Sequence, residues 1–229
     1  MCGRYSLRRS QLARAVFEAL STTLFDEFTE RPRFNIAPSQ DVPLVRLNSN
    51  EERILGLARW GLIPSWAKDS PKTKPINARA ETVATRGMFK QSFARRRCLI
   101  PADGFFEWKG DKPPKQPYFI HWKDDRLFAF AGIWERWTQE GTSKSIDTFA
   151  IVTTSPNEVM RPIHNRMPAI LRPSDYAAWL RRDTPIETAV SLLHSSDSQD
   201  MEAHPVSSKV NSPRHDSPEC VEPAGTIEA

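Results

Sequence analysis

Glycine is scarce in this chain of 229 residues, nine against nineteen prolines. An average chain carries about 7% glycine and about 5% proline, so the usual ratio is inverted. Neither GxGxxG nor GxxxxGK followed by Ser or Thr occurs, which argues against phosphate-cradling loops of the dinucleotide or P-loop kind. Cysteine is equally sparse. Cys2, Cys98 and Cys220 cannot make a disulfide framework and show no metal-ligand spacing. Long apolar runs are missing: none reaches the roughly 18 residues of a spanning helix. The opening residues, MCGRYSLRRS, lack the apolar segment of a secretory signal. These absences predict a reduced, cytoplasmic protein with no membrane partner, no metal and no cofactor.

What is present suits a folded domain. The chain is 39% hydrophobic and 26% charged, neither disordered nor membranous in composition, and long enough to bury a real core. Its net charge of +4 hides an asymmetry. Residues 72–97 carry a net +7 and residues 183–229 a net −7. A basic block inside a nearly neutral protein fits a polyanion-binding face; a solvated surface beside an acidic tail explains the same charges.

Leu12, Val16, Phe17 and Leu20 fall at helical spacing, predicting an amphipathic helix over 8–20. Short runs rich in aromatic and β-branched residues predict strands at 42–47, 53–60, 105–109, 118–122, 127–134 and 148–154. Helices are expected at 88–96, 174–182 and 186–194. Strands follow one another with little strand–helix alternation. That pattern points to an α+β single domain: a curved, mostly antiparallel, barrel-like sheet with peripheral helices. Residues 2–211 form the expected domain, and 212–229 read as a flexible acidic tail.

Four segments carry candidate chemistry. Cys2, once Met1 is removed, presents an α-amine and a thiol on one residue, with ordinary pKa values of about 7.7–8.0 and about 8.5. Such an aminothiol adds to an aldehyde through its amine, and its thiolate closes a thiazolidine. Asn77 and Arg79 in KPINARAETVA offer an amide and a planar fork suited to phosphate; a strand-to-helix turn with Glu81 at an exposed helix start is the alternative. Glu107 is the lone acid among aromatics in GFFEWK. Apolar surroundings raise a carboxyl pKa towards acid/base work; the alternative is an outward Glu107 paired with Lys109. His164, flanked by Arg161 and Arg166 as anion contacts, is a natural proton shuttle.

Taken together, MCGRY at 1–5, FNIAPSQ at 34–40, RWGLIPSW at 59–66, INARAET at 76–82, FKQSF at 89–93, CLIPADGFFEWK at 98–109, IHNRMP at 163–168 and HPVSSKVN at 204–211 resemble the SRAP family (SOS response-associated peptidase), abasic-site processing proteins that crosslink to single-stranded DNA. The motifs occur in the family's order and cover residues 2–211. The resemblance implies that Cys2 is the nucleophile, trapping the ring-opened aldehyde of an abasic site as a thiazolidine. Asn77 would position the N-terminal residue, Glu107 would act as acid/base, and His164 would assist ring opening. It also implies peptidase-like self-processing at Met1. Arg4, Arg79 and Arg166 match phosphate-contacting positions. Trp66, Trp108 and prolines such as Pro38 are candidates for narrowing the site and stacking neighbouring bases. Two positions depart from the pattern. Ala67 stands where some relatives carry a second aromatic, and Arg86 is separated from Met88 by Gly87, although Arg86 is kept as a candidate DNA contact.

The expected function is therefore a monomeric enzyme that senses abasic sites in single-stranded DNA, nucleoid-associated if bacterial. Two other classes stay open on the residues alone. One is an N-terminal-nucleophile cysteine hydrolase using Cys2, Glu107 and His164. The other is a non-catalytic single-strand-binding module using the 72–97 block. Only the crosslinking enzyme uses both the aminothiol and the basic block.

Overall fold

The structure, a computed structural model, describes residues 2–8 and 31–225. The helix expected over 8–20 lies outside the described residues, Arg8 excepted. Thirteen strands are described. They are β1 (Arg4–Leu7), β2 (Arg33–Ile36), β3 (Asp41–Leu47), β4 (Arg53–Trp60), β5 (Asn77–Arg79), β6 (Arg97–Ala102) and β7 (Gly104–Lys109). The rest are β8 (Gln116–Trp122), β9 (Phe128–Thr138), β10 (Ser145–Thr154), β11 (Met167–Pro168), β12 (Ile170–Leu171) and β13 (Met201–Pro205). Four short helices accompany them: α1 (Ala80–Val83), α2 (Gly87–Arg95), α3 (Tyr176–Leu180) and α4 (Ile186–Ser191).

Strands β3, β4, β10, β9 and β6 pair in a closed ring. Every pairing in the ring is antiparallel except β4 with β10. A second, five-stranded sheet runs β13-β8-β7-β1-β2. The α+β, barrel-like architecture expected from the strand-rich sequence is the one observed. The two sheets meet through aromatic side chains. Tyr5 on β1 packs edge-on against Trp60 and Phe130 of the ring, and Phe105 on β7 meets Phe130 as well. Such pairs add about 0.5–1.5 kcal/mol each beyond the area they bury.

The chain crosses from ring to second sheet at Asp103, between β6 and β7. Its buried carboxylate accepts from Ser6 Oγ at 2.6 Å, from the Arg8 backbone N–H at 2.5 Å and from Arg8 Nε at 3.1 Å. Gly104 follows, where a Cβ would lie 2.1 Å from the Phe119 ring. Only glycine lets β8 approach this closely.

Every strand expected from pattern is present. Strands β1, β2, β5, β6, β11, β12 and β13 were not marked by pattern. β6 is buried at all six positions, so it shows no alternation, and β5 has only three residues. The helix expected over 174–182 begins as a 3-10 turn at Pro173–Asp175 and ends at Leu180.

Residues 212–225, expected as a flexible tail, are instead held against β2. The Asp216 carboxylate accepts from the backbone N–H of Phe34 at 2.6 Å and of Asn35 at 2.9 Å, and from Arg33 Nε at 2.5 Å. Asn35 Nδ2 donates to the carbonyls of Val210, Ser212 and His215. Cys220 is fully buried with Val206, Val210, Phe106 and Phe119 in a small second core. Acidic composition hid this because one carboxylate anchors the segment while its other acids face water.

Candidate active site

Four distant segments converge beside the start of β1. Asn77 opens β5, which pairs in parallel with β10 so that Asn77 lies opposite Ile151 and Arg79 opposite Thr153. This register aims the Asn77 amide at the chain terminus, where Nδ2 donates to the Cys2 carbonyl at 2.9 Å. Asn77 Oδ1 is buried and accepts no hydrogen bond from a described residue. Glu107 sits on β7 next to β1, in a stretch where Arg4 pairs with Phe106 and Tyr5 with Phe105. It is 3% exposed, so it is not the outward partner of Lys109. The alternation of β7 turns its side chain inward.

His164 reaches Glu107 from a tight loop ahead of β11, with Nε2 at 4.0 Å from Glu107 Oε1. Its other nitrogen, Nδ1, accepts the Arg166 backbone N–H at 3.0 Å. When Nδ1 accepts in this way the proton of the neutral ring sits on Nε2, facing Glu107; the Arg166 carbonyl, 3.3 Å from Nδ1, favours the other tautomer. Buried Asn157 fixes the loop: its Oδ1 accepts from Met160 N at 3.0 Å and its Nδ2 donates to Ser196 O at 3.3 Å.

Burial pushes the Cys2 thiol well above its ordinary pKa, and the neighbouring Glu107 charge pushes it further. The sequence alone predicts a thiol partly ionised near neutrality. In this Met1-bearing chain it is instead held protonated, since a dry site and a like charge both disfavour thiolate. The thiol hydrogen is directed at the Arg4 carbonyl, 3.6 Å away.

The candidate phosphate contacts divide. Arg79 is exposed and makes no ion pair within 4 Å with a described residue. Arg166 is held by a two-point pair with Glu81, at 2.5 and 2.9 Å, and by the Thr153 carbonyl at 2.5 Å. Arg4 donates to Asn35 Oδ1 at 3.2 Å, to the Asn211 carbonyl at 3.0 Å and to the Val210 carbonyl. It thereby ties β1 to the C-terminal segment. Arg86 precedes α2, exposed, with its guanidinium 5.7 Å from the Phe89 ring centroid.

Within the basic block, Arg95 is exposed but Arg96 and Arg97 are not the solvated charges their neighbourhood predicts. Arg96 pairs with Glu135 at 2.7 Å. Arg97, 2% exposed, donates to the carbonyls of Phe93, Ala94, Trp179 and Arg181. It closes the ends of α2 and α3 rather than facing a ligand.

Of the aromatic candidates, Trp108 is half-buried beside Glu107, and its Nε1 donates to Asn211 Oδ1 at 2.8 Å. Trp66 is 67% exposed, the largest apolar side chain presented to solvent among the described residues. Pro38 is half-buried in a turn whose next residue, Ser39, takes φ +72° and donates its N–H to the Trp60 carbonyl at 2.8 Å. The structure brings Cys2, Asn77, Glu107 and His164 together, with Trp108 and Arg166 adjoining. It shows no contact of Arg86, Trp66 or Pro38 with that group.

Three supporting residues escaped the sequence reading: Glu81, Thr153 and Asn211. Glu81 was visible only as an exposed helix start, and Thr153 as one residue of a strand. Asn211 closes the HPVSSKVN run, and its double contact with Arg4 and Trp108 is the signal that run carried.

Comparison with known proteins follows the same lines. Residues 1–213 match the family described as SOS response associated peptidase (SRAP). The chain is 44% identical to the abasic site processing protein YoqW of Bacillus subtilis (strain 168), over 97% of this chain and 99% of that one. It is 30% identical to the abasic site processing protein HMCES of Xenopus tropicalis, over 83% of this chain and 66% of that one. Among solved structures, a protein from Bacteroides thetaiotaomicron superposes with a TM-score of 0.80 at 27% identity, over 97% of this chain and 100% of that one. A phage-related protein from Bordetella bronchiseptica superposes with a TM-score of 0.68 at 28% identity, over 90% of this chain and 94% of that one.

Proposed function

The chain belongs to the SOS response associated peptidase (SRAP) family, and from that premise we propose that it processes abasic sites in DNA by forming a covalent crosslink through Cys2. The observation that carries this reading is the convergence of Asn77, Glu107 and His164 on the residue that becomes the amino terminus when Met1 is removed.

An abasic site exists partly as a ring-opened aldehyde and offers no base to read. Recognition must then come from the backbone and from stacking of neighbours. Ring opening breaks the C1′–O4′ bond: His164 Nε2–H gives its proton to O4′, and Glu107 takes the proton of the C1′ hydroxyl and passes it back to His164 Nε2. The Cys2 α-amine adds to the aldehyde carbon, and water leaves as the imine forms. Glu107 accepts the proton from the amine and returns one to the departing hydroxyl. The thiol then adds to the imine carbon, with Glu107 taking its proton as the imine nitrogen gains one. The product is a thiazolidine, and the balance is aldehyde plus aminothiol giving thiazolidine plus one water. Closing the ring removes the imine that otherwise invites β-elimination and strand cleavage.

The buried thiol makes proton removal the demanding step, and the adjacent carboxylate supplies a base for it. In this reading Asn77 Oδ1, buried and without a partner among the described residues, accepts from the freed amine while Nδ2 holds the Cys2 carbonyl. Cys2 and Glu107 would also serve self-cleavage after Met1; an aminopeptidase is the other route to the free amine. In this reading the protein acts as a monomer on single-stranded DNA in the cytoplasm and requires no cofactor. Arg79 is the foremost phosphate contact. Arg166 engages phosphate by exchanging Glu81, and Arg4, Arg86, Trp66, Trp108 and Pro38 extend the strand-binding surface.

The test is intact mass spectrometry with a single-stranded oligonucleotide bearing one abasic site. The expected species is protein without Met1, plus oligonucleotide, minus one water. Cys2→Ala should lose it. The same adduct on an undamaged oligonucleotide would overturn the reading, and binding without any adduct would favour a non-catalytic module. Cleavage of added peptides without DNA adducts would favour the hydrolase.

A further inference from the structure

Beside His164 opens a predominantly polar cleft of about 540 Å³, lined by Trp108, Lys109, Lys115, Arg161, His164 and Asn165 among others. That volume lies within the range of ordinary ligand clefts, about 300–1,000 Å³. One wall is the β7–β8 hairpin, where Lys109 faces Gln116 across the ladder and residues 110–115 form the tip. The other is the loop that carries His164 itself.

The charges of this cleft are unlike Arg96 and Arg97 at the end of the 72–97 block. There, Arg96 and Arg97 are committed to Glu135 and to backbone carbonyls. Here Lys109, Lys115 and Arg161 are exposed, and none makes an ion pair within 4 Å with a described residue. Asp111 is the one acid in the lining. Three cations against one acid leave the lining net positive, which suits a polyanion.

The walls are also preformed. Arg161 N–H donates to the Asn157 carbonyl at 2.9 Å and His164 N–H to the Met160 carbonyl at 2.9 Å, with Met160 fully buried. Arg161 and His164 are therefore held by the same hydrogen-bonded loop. Trp108, pinned through its Nε1 to Asn211, lines the cleft at the Glu107 end and presents a ring suited to stacking.

We propose that this cleft is a second strand-binding subsite, holding the nucleotides that flank the lesion on one side through two phosphates, at Lys115 and Arg161, and one base on Trp108. The assignment rests on the abasic-site reading above for its substrate. It adds that the strand crosses the site between two basic surfaces, Arg79 on one side and the hairpin on the other. A lesion at a strand end on the hairpin side would then lack the Lys115 and Arg161 contacts.

Non-covalent binding tests it, using oligonucleotides with a tetrahydrofuran abasic analogue, which has no aldehyde to crosslink. Anisotropy is followed against salt for the wild type, for Lys115→Ala with Arg161→Ala, and for Lys144→Ala as a control on a distant hairpin. Two lost phosphate contacts should make the log–log salt slope shallower by about 1.4, at about 0.7 per phosphate on single strands. Lys115→Arg with Arg161→Lys should keep the wild-type slope. Shortening the oligonucleotide on one side of the lesion should abolish the difference between wild type and double variant; shortening it on the other should not. An unchanged slope in the double variant, or a loss independent of which flank is removed, overturns the subsite. The parent reading is judged separately, by adduct formation of the wild type with an aldehyde-bearing oligonucleotide.

Discussion

Arg4→Ala separates two duties that the sequence motif and the structure assign to one side chain. The motif places Arg4 among phosphate contacts. The structure has it bridging β1 to Val210, Asn211 and Asn35. Charge-assisted hydrogen bonds contribute about 1.5–3 kcal/mol each, but not all of that is lost here. Arg4 is half-buried, the Val210 carbonyl retains Asn35 Nδ2 at 3.1 Å, and the Asn211 carbonyl can turn to water. The expected net cost is about 2 kcal/mol, well below the sum for three bonds. For a chain of this size that lowers the melting temperature by about 4–8 °C. Calorimetry reads the shift, and limited proteolysis should show faster cleavage within 212–225. Arg4→Lys keeps the charge, but one ammonium cannot span three acceptors, so at least half the loss should remain. A variant that melts like the wild type in either case would refute the bridging argument and return Arg4 to DNA contact alone.

Glu107→Gln should slow crosslinking by about 10²–10⁴-fold, the usual loss of a general acid/base, while non-covalent affinity for the tetrahydrofuran oligonucleotide holds; equal loss of both would make Glu107 structural. Arg79→Ala should weaken binding and reduce the salt slope by about 0.7, measured by anisotropy, and an unchanged slope removes it from the phosphate set. Burial raises the Asp216 pKa, but Arg33 and the Asn35 and Phe34 N–H groups outweigh it and hold the carboxyl below its ordinary 3.8. A depressed folded-state value adds stability above the ordinary carboxylate pKa that is lost as pH falls through the folded one. Acid melts of Asp216→Asn should therefore show a shallower decline below about pH 4 than the wild type, and parallel curves would count against the anchor.

The candidate residues were more conspicuous in sequence than some of the strands that bring them together. Cys2, Asn77, Glu107 and His164 each stand in a short polar interruption of an apolar or aromatic context. Chemistry-bearing residues are conspicuous there because a core has no use for them. What the sequence could not display was commitment. Arg79 and Arg97 look alike in a basic run, yet one is exposed and the other fully engaged with four carbonyls. That difference is decided by α3, some eighty positions away, and no local pattern encodes it. β6 was overlooked for a related reason. A strand covered on both faces loses the period-two signature by which strands are recognised. The C-terminal segment misled through its average charge, because a single well-placed Asp216 outweighs the composition around it.

β1 is flanked by β2 and β7, and the Cys2 carbonyl is held by Asn77. Every partner of the amino terminus thus lies later in the chain, the last of them beyond residue 100. At synthesis rates of roughly 5–20 residues per second, about 5–20 s separate the appearance of Cys2 from that of Glu107. Throughout that interval the terminus has neither its strand partner β7 nor its acid. The long sequence separation of its residues makes this site late to assemble during synthesis.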